Sequence, residues 1–255
     1  MAMRLVSDIF GLQGRTAIVV GGASGIGAGI ARMLADAGAR VTIMDRAGSA
    51  AGEVAAGLGD QARAAAVDVT DEEGLVAAFA GVFEQAGTPW LLVNCAGVQD
   101  RVLLTEGAAA DWDRNFAVNL RGSFLCLREV SKQMIAGGGG GRIVNITSTS
   151  GAAPVMRGLS AYSASKAGAN ALTRSATFEL MEHGITVNAV MPGGVDTPGA
   201  RAAKGPPGSG RALDPPALGY CTPEDIGAAV LYFASPMACR CTGTTLAVDG
   251  GFLLG

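Results

Sequence analysis

A short apolar run, a glycine-rich turn and an alanine-rich stretch constrain the fold of this chain more than any other feature. Thr16–Val20 is typical of a buried strand, and Gly21-Gly22-Ala23-Ser24-Gly25-Ile26-Gly27 follows it directly. A helical, alanine-rich stretch then extends to about Ala37. This order is typical of dinucleotide-binding folds, because glycine lets the backbone approach a pyrophosphate at a helix N-terminus.

The spacing of the turn, and the residue that ends the next strand, indicate what the turn would bind. Gly21, Gly25 and Gly27 are spaced Gly-x-x-x-Gly-x-Gly without a following Gly-Lys-Ser/Thr, so a nucleoside-triphosphate loop is not supported. A second run, 40–44, ends at Asp45, where such folds place an acid that hydrogen-bonds the adenosine ribose. A flexible loop and an ordinary turn acid are the simpler alternatives.

Apolar runs and helical stretches alternate along the whole chain. This alternation predicts a single α/β domain over residues 1–255, a Rossmann-type doubly wound parallel sheet of about seven strands with helices on both faces. We place the strands at 16–20, 40–44, 64–67, 90–93, 142–147, 185–190 and 244–248. We place the helices at 25–37, 49–58, 72–85, 109–135, 161–182 and 223–233. The glycine run 137–141 is interpreted as a flexible connection.

Tyr162 and Lys166 are a candidate acid/base pair, because residues four apart lie on the same face of a helix. A free phenol has a pKa of about 10 and is a poor base at neutral pH. A neighbouring ammonium group favours the phenolate and lowers that pKa, which would make Tyr162 a general acid/base. A surface helix with an unrelated Tyr and Lys is the alternative.

Several motifs, taken in order, resemble those of the short-chain dehydrogenase/reductase family. The resemblance spans roughly residues 14–251 and is carried by the turn 21–27, Asp68-Val69, Asn94-Cys95-Ala96-Gly97, Asn119, residues 143–148, Tyr162 with Lys166, residues 192–197 and residues 242–251. The chain departs from the family pattern at Val20, which replaces a Thr, and at Cys95, which replaces Asn or Ala. Ser148 also lies fourteen residues before Tyr162, one more than the commonest spacing.

The resemblance implies a role for each of these residues. Tyr162 would transfer the proton, while Lys166 would lower its pKa and hold the nicotinamide ribose. Ser148 would bind the substrate oxygen, with Ser150 as the alternative, and Asn119 would hold a water molecule. The implied cofactor-binding set is Gly21, Ser24, Gly25, Ile26, Gly27, Asp45, Arg46, Asp68, Val69, Asn94, Ala96, Gly97, Tyr162, Lys166, Pro192, Gly193, Val195 and Thr197.

The acid at the end of the second strand predicts the choice of cofactor. The carboxylate of Asp45 would accept hydrogen bonds from both ribose hydroxyls and repel a 2′-phosphate, so we expect NAD rather than NADP. Arg46 is the complication, because a guanidinium group can bind that phosphate. Ala23 and Ser24 add no positive charge to the glycine turn.

Composition and charge exclude several other classes. The formal net charge is −3 without a basic block, which argues against nucleic acid as a partner. No apolar run approaches the ~18–20 residues of a membrane span, and the N-terminal residues do not match a secretory signal. The five cysteines form no regular framework and are interpreted as free thiols in a reducing compartment, the cytoplasm. With one histidine, His183, the chain lacks the ligands of a zinc alcohol dehydrogenase, and we expect no metal.

The expected function is that of an NAD-dependent oxidoreductase transferring hydride between nicotinamide and a small-molecule secondary alcohol or ketone. An NADPH-dependent 3-oxoacyl-carrier-protein reductase is the first alternative. A dinucleotide-sensing protein without catalysis and an extended-branch epimerase or dehydratase are the others. A serine hydrolase lacks support, because the chain has no Gly-x-Ser-x-Gly sequence. Sterols, sugars, cyclic alcohols and acyl thioesters are all handled by similar chains, so the sequence does not name the substrate.

Two further expectations concern the segment 198–219 and the helix that carries Tyr162. The segment is rich in Pro and Gly and lacks apolar periodicity, so we interpret it as a substrate lid, with a disordered surface loop as the alternative. Its Arg201, Lys204 and Arg211 outnumber Asp214 and would steer an anionic substrate group, although a solvated loop is the simpler interpretation. Similar enzymes are homotetramers, and a stripe of small residues would suit pairing of this helix with a copy of itself: Ala161, Ala164, Gly168, Ala171 and Ser175.

Overall fold

The computed structural model describes residues 10–203, 205, 210 and 214–254. In this part of the chain, seven strands form a sheet in the order β3-β2-β1-β4-β5-β6-β7, and every pairing of neighbours is parallel. The strands are β1 (Thr16–Val20), β2 (Arg40–Asp45), β3 (Ala62–Ala66), β4 (Leu91–Asn94), β5 (Gly141–Ile146), β6 (Ile185–Pro192) and β7 (Thr245–Val248). The predicted Rossmann-type sheet is confirmed, with strand ends within two residues of those expected.

Helices connect the strands and cover both faces of the sheet. They are α1 (Gly25–Asp36), α2 (Ala51–Gly57), α3 (Glu72–Ala86), α4 (Ala109–Phe116), α5 (Ser123–Gly137), α6 (Ser160–Leu180), α7 (Pro198–Ala202) and α8 (Pro223–Ala234). The prediction of one helix over 109–135 is wrong, because a π-helical segment, Ala117–Gly122, separates α4 from α5. The short α7 lies where an irregular segment was expected; the Thr197 hydroxyl caps it by accepting from Ala200 N at 3.1 Å.

The sheet is the middle layer because its central strands are apolar on both faces. All five residues of β1 are buried, and their side chains alternate between two cores. Ala17 and Val19 belong to the first core, which α1 and α8 cover. Ile18 and Val20 belong to the second, which α3, α5 and α6 cover. Burial of both faces is typical of parallel strands.

Helix α1 lies close to α8 because glycines occupy the contact. A Cβ on Gly29 would lie 2.5 Å from Pro223 Cβ, and one on Gly227 would lie 2.5 Å from Met33 Sδ. Larger residues at either position would push the helices apart. This packing fixes the N-terminus of α1 beside the end of β1.

The strand order reverses at β1, which pairs with β2 on one side and with β4 on the other. The connections that follow β1 and β4 therefore leave the sheet in different directions and open a crevice at its carboxyl edge. Most of the predicted site residues follow β1, β2, β4, β5 or β6. The fold consequently brings them to this one edge.

Candidate active site

The glycine turn after β1 packs directly on the turn after β4. Gly21 has a φ of +82°, and a Cβ there would lie 2.6 Å from the Cα of Ala96. A Cβ on Gly27 would collide with the carbonyl oxygen of Gly21. Both positions therefore require glycine. Ser24 precedes α1 as its N-cap residue, so the turn leads straight into a helix N-terminus, where an anionic pyrophosphate fits.

The segment after β6 completes the rim of this turn. Gly25 has a φ of +52°, and a Cβ there would lie 3.1 Å from the Cβ of Thr197. Gly193 N donates to Val248 O at 2.9 Å, and a Cβ on Gly193 would lie 2.8 Å from Asp249 Cα. The turns after β1, β4 and β6, which the sequence predicts to hold a cofactor, thus meet in one place.

Asp45 turns its carboxylate toward the glycine turn. Its Oδ2 accepts from Ala23 N at 3.0 Å, and its Oδ1 accepts from Arg46 N at 2.8 Å. The guanidinium group of Arg46 follows on an exposed residue. Beside it lies a cleft of about 620 Å³, lined by residues 46–49, 66–68 and Gly74. An acid that is bonded to the backbone of the glycine turn matches the position expected for ribose recognition.

Asp68 and Val69 lie at the β3 side of this cleft. Thr70 donates to Asp68 Oδ1 from its hydroxyl at 2.7 Å and from its backbone N–H at 2.9 Å. These hydrogen bonds lower the pKa of the Asp68 carboxyl. Val69 is buried, and a Cβ on Gly122 would lie 2.8 Å from its Cβ. Val69 therefore packs against the π-helical segment.

Tyr162, Lys166 and Ser148 converge at the carboxyl edge of the sheet. Lys166 is 5% exposed; its Nζ donates to Ile146 O at 2.8 Å and lies 5.8 Å from the ring centroid of Tyr162. The Ser148 side chain lies near the Tyr162 hydroxyl and acts on its pKa. Ser150, the alternative serine, contributes its backbone N–H, which donates to Ser148 Oγ at 3.1 Å. Ser150 thus holds the side chain of Ser148, the serine nearer to the tyrosine.

Burial governs the protonation of this pair. Burial raises the pKa of Tyr162, and the nearby Ser148 hydroxyl offsets part of that rise. Burial also lowers the pKa of Lys166 to about 8. The expected lowering of the Tyr162 pKa by Lys166 does not appear, because removal of the phenolate from water is the larger effect and the ammonium group is bonded to a carbonyl.

Asn119 lies in the π-helical segment and fastens the turn after β4 to helix α6. Its Oδ1 accepts from Val98 N at 2.8 Å, and its Nδ2 donates to Val98 O and to Ser165 Oγ, both at 3.0 Å. A Cβ on Gly97 would lie 3.3 Å from Asn119 Oδ1 and 3.5 Å from Lys166 Nζ. The side chain is thus bonded to protein groups, and its water-holding role stays a prediction. π-Helical turns of this kind are frequent at functional sites.

Asn94 was predicted to contact the cofactor, but the structure places its amide in the core, where it is 4% exposed. Its Nδ2 donates to Asn145 Oδ1 at 2.9 Å, and Asn145 Nδ2 donates to Thr173 Oγ1 at 2.9 Å. This chain of hydrogen bonds links β4 and β5 to α6, which carries Tyr162. Sequence reasoning missed Asn145, Thr173 and Ser165 as supporting residues, because no local pattern distinguishes them from other polar residues.

Arg201, one of the three cationic side chains of the segment 198–219, forms an ion pair with Asp196. Arg201 binds both carboxylate oxygens of Asp196, at 2.8 Å from Nε and 2.5 Å from a terminal nitrogen. Arg201 lowers the pKa of Asp196, chiefly through these hydrogen bonds. Its charge is thus paired within the chain rather than directed at a substrate. Lys204 and Arg211 lie outside the described residues. Val195, which precedes this segment, and Cys221, which follows it, form an isolated parallel β-bridge.

Within residues 10–203, 205, 210 and 214–254, no group of three or more His, Cys, Asp and Glu side chains is arranged to bind a metal ion. His183 instead lies 3.7 Å from Glu182, and both side chains reach solvent. Among the same residues, no helix combines the length and the apolar character needed to cross a bilayer.

Comparison with known proteins identifies a matching family model and relatives that are similar over nearly their whole length. A family model described as short chain dehydrogenase matches residues 15–205. Sorbitol dehydrogenase of Cereibacter sphaeroides is 36% identical over 256 residues, which cover 94% of this chain and 98% of the relative. Cis-4-hydroxycyclohexanecarboxylate dehydrogenase of Sinomonas cyclohexanicum is 39% identical over 242 residues, 93% of this chain and 96% of the relative.

Solved structures show the same similarity in three dimensions. The crystal structure of a short-chain type dehydrogenase/reductase from Mycobacterium marinum superimposes with a TM-score of 0.90 at 30% sequence identity. The alignment covers 98% of this chain and 100% of that one. The two chains therefore share the whole fold, including the carboxyl edge of the sheet.

Proposed function

The chain belongs to the short chain dehydrogenase family, and we propose that it is an NAD-dependent dehydrogenase that interconverts a secondary alcohol and its ketone. The observation that carries this proposal is the buried ammonium group of Lys166, whose Nζ lies 5.8 Å from the ring centroid of Tyr162. This group lies at the same sheet edge as the glycine turn, so proton transfer and a dinucleotide would meet there.

The protein groups handle the proton while the cofactor handles the hydride. A nicotinamide, when bound, supplies a hydride acceptor or donor. In alcohol oxidation, Tyr162 takes the hydroxyl proton of the substrate as its carbon is oxidised. Ser148 donates to the substrate oxygen and stabilises the charge that develops there. Lys166, whose Nζ lies 5.8 Å from the ring of Tyr162, would hold the nicotinamide ribose and so position the cofactor beside the tyrosine.

The raised pKa of Tyr162 indicates the form in which the site rests. At neutral pH the tyrosine is a neutral phenol, because burial disfavours its charged form. A neutral phenol is ready to donate its proton to a ketone. Oxidation needs the same proton to be removed first, so we expect the oxidative rate to rise with pH more steeply than the reductive rate.

Asp45 supports the choice of NAD. Its carboxylate is held in place by Ala23 N and Arg46 N, so it cannot easily move aside for a 2′-phosphate. The two carboxylate oxygens retain lone pairs for ribose hydroxyls. Arg46 is exposed, and a guanidinium group at this position can bind a 2′-phosphate. An NADPH-dependent reductase is therefore the alternative. The presence of both Tyr162 and Lys166 in one site disfavours a purely sensing protein.

We also propose that the chain forms a homo-oligomer, a tetramer by analogy with similar enzymes. An apolar groove of about 500 Å³ lies between α4, the π-helical segment and α6, with Phe116, Leu120, Phe124 and Leu172 among its lining residues. Gly168 faces inward, since a Cβ there would lie 2.8 Å from Leu120 Cδ2, so this part of the small-residue stripe packs within the chain. A monomeric mass by light scattering at micromolar concentration would contradict assembly.

The free thiols of all five cysteines favour a reducing compartment such as the cytoplasm.

The proposal is tested by following NADH formation from NAD⁺ with a panel of secondary alcohols: cyclic alcohols, open-chain polyols and aliphatic 2-alcohols. We expect turnover of at least one class. Reverse assays with NADPH and a 3-oxoacyl thioester examine the alternative. Failure to reduce NAD⁺ or NADP⁺ with every alcohol, and to oxidise NADPH with the thioester, would contradict the enzymatic role.

A further inference from the structure

A small apolar cluster adjoins the catalytic tyrosine, apart from the two cores of the sheet. Val155, Leu159 and Phe252 are buried in it, at 6%, 3% and 9% exposure. Tyr162 and Leu253 are partly buried and pack against these residues. Val155 and Leu159 belong to the loop that joins Ser148 to Tyr162, whereas Phe252 and Leu253 belong to the C-terminal turn. The cluster therefore borders Tyr162, one of the two groups that would hold the substrate oxygen.

Asp249 holds the C-terminal turn in place. Its Oδ1 accepts from Gly251 N at 2.9 Å, and its Oδ2 accepts from Leu253 N at 3.0 Å. Gly250 and Gly251 have φ angles of +62° and +89°, so the chain reverses sharply after β7. The carboxylate and the two glycines together direct Phe252 and Leu253 back toward the loop before α6.

Described residues of the segment 198–219 lie against both parts of the chain that form this cluster. A Cβ on Gly210 would lie 2.8 Å from Val155 O. Leu218 N donates to Gly250 O at 3.1 Å, and a Cβ on Gly250 would lie 2.5 Å from Gly219 O. Gly210 thus adjoins the loop before α6, and Leu218 and Gly219 adjoin the C-terminal turn.

The charged residues that follow β4 do not offset this apolar character. Asp100 forms an ion pair with Arg114. Arg101 donates to Ala203 O at 3.3 Å. Both side chains are thus engaged with the protein. A polyol placed against the cluster would lose water from several hydroxyls without regaining hydrogen bonds, which is costly.

Because the C-terminal turn and the loop before α6 meet in this cluster against Tyr162, we propose that they form an apolar wall of the substrate site. The wall selects secondary alcohols whose carbon skeleton next to the reacting carbon is apolar over open-chain polyols. Val155 and Leu253 are the specificity-determining residues. This inference rests on the proposed dehydrogenase function and names the substrate class for that site.

The test compares kcat/KM for cyclohexanol and for sorbitol, with NAD⁺, in the wild-type protein and in three variants. Val155→Thr places a hydroxyl in the wall with little change in volume, and Leu253→Asn replaces an apolar side chain with a smaller polar one. Leu254→Asn is the matched control, because Leu254 is 94% exposed and follows Leu253 directly. NADH affinity of each variant, measured by fluorescence, shows whether the fold and cofactor site are retained.

We expect the wild-type protein to prefer cyclohexanol by about tenfold or more. Val155→Thr and Leu253→Asn should each lower kcat/KM for cyclohexanol by about tenfold, leave sorbitol unchanged or improved, and leave NADH affinity within about twofold. Leu254→Asn should change neither substrate. A wild-type preference for sorbitol, or equal losses for both substrates, would overturn the apolar wall while leaving the dehydrogenase function intact. Absence of turnover with every alcohol would instead overturn the function itself.

Discussion

The cofactor side and the substrate side of this site are built from different kinds of contact. On the cofactor side, backbone meets backbone: Gly21 lies against Ala96, and Gly27 lies against Gly21. On the substrate side, side chains from distant parts of the chain meet, as Val155 and Phe252 do. The first side tolerates one residue type at each contact, whereas the second tolerates many apolar combinations.

This difference explains why one side is specific in sequence and the other is not. A main-chain approach as close as that of Gly21 to Ala96 excludes every side chain, so glycine spacing records the shape of the turn. An apolar wall requires only suitable volume and apolarity. The cofactor class therefore follows from short motifs, while the substrate class has to be inferred from the folded chain.

The largest expected effect comes from breaking a backbone contact on the cofactor side. Gly27→Ala would place its Cβ against the carbonyl oxygen of Gly21. We expect a loss of about 3 kcal/mol of unfolding free energy from this overpacking, a fall in Tm of roughly 6–12 °C, and loss of NADH binding. Differential scanning calorimetry and NADH fluorescence measure both.

The matched control for that variant is Gly52→Ala in helix α2. A Cβ on Gly52 would meet nothing within 4 Å, so the change should add stability by about 0.5–1 kcal/mol through the lower entropy of the unfolded chain. Equal behaviour of the Gly27 and Gly52 variants would remove the distinction between backbone-fixed and tolerant positions.

A smaller effect is expected from changing the ribose-binding acid. Asp45→Ser removes the charge that repels a 2′-phosphate and lets Arg46 engage it. We expect the wild-type protein to favour NAD⁺ over NADP⁺ by ~1–3 kcal/mol, about tenfold or more in kcat/KM, and the variant to lose most of that ratio. Equal use of both cofactors by the wild-type protein would show that Asp45 does not select between them.

A further effect is a pH dependence of stability at the boundary between the two sides. Burial lowers the pKa of Lys166 from 10.5 to about 8, so above the lower value the unfolded chain binds more protons than the folded one. Stability therefore rises with pH between about 8 and about 10.5, and this contribution is flat below that range. Urea unfolding of the wild type and of Lys166→Met should show the wild type gaining relative to the variant across this window. A relative loss would mean that Lys166 is stabilised as a cation in the folded protein.

The sequence predicted the sheet and most helix bounds because both depend on local periodicity. The sequence did not predict the local features that depend on tertiary contacts. The glycine run 137–141 was expected to be a flexible connection, yet Gly137 ends α5 and Gly141 begins β5. A Cβ on Gly141 would lie 2.8 Å from Met134 Cε, so packing fixes this position. The π-helical segment was missed for the same reason, since its apolar spacing continues that of its neighbours.

The candidate site was predicted to a similar extent. Tyr162, Lys166 and Ser148 were found from spacing and resemblance, and the structure places them together. The core position of Asn94 and the anchoring role of Asp249 were not found. Each depends on partners that the fold, rather than the local sequence, brings near: Asn145 for the first and Leu253 for the second.

The central claim is that Tyr162 carries the proton in alcohol oxidation, and Tyr162→Phe tests it most directly. The variant keeps the ring, and with it the packing against the apolar cluster, but lacks the hydroxyl. Turnover should fall by ~10²–10⁴-fold, while NADH affinity stays within about twofold of the wild type because the glycine turn and Asp45 are unchanged. Turnover close to that of the wild type, with NADH still bound, would contradict the assignment of Tyr162 as the acid/base.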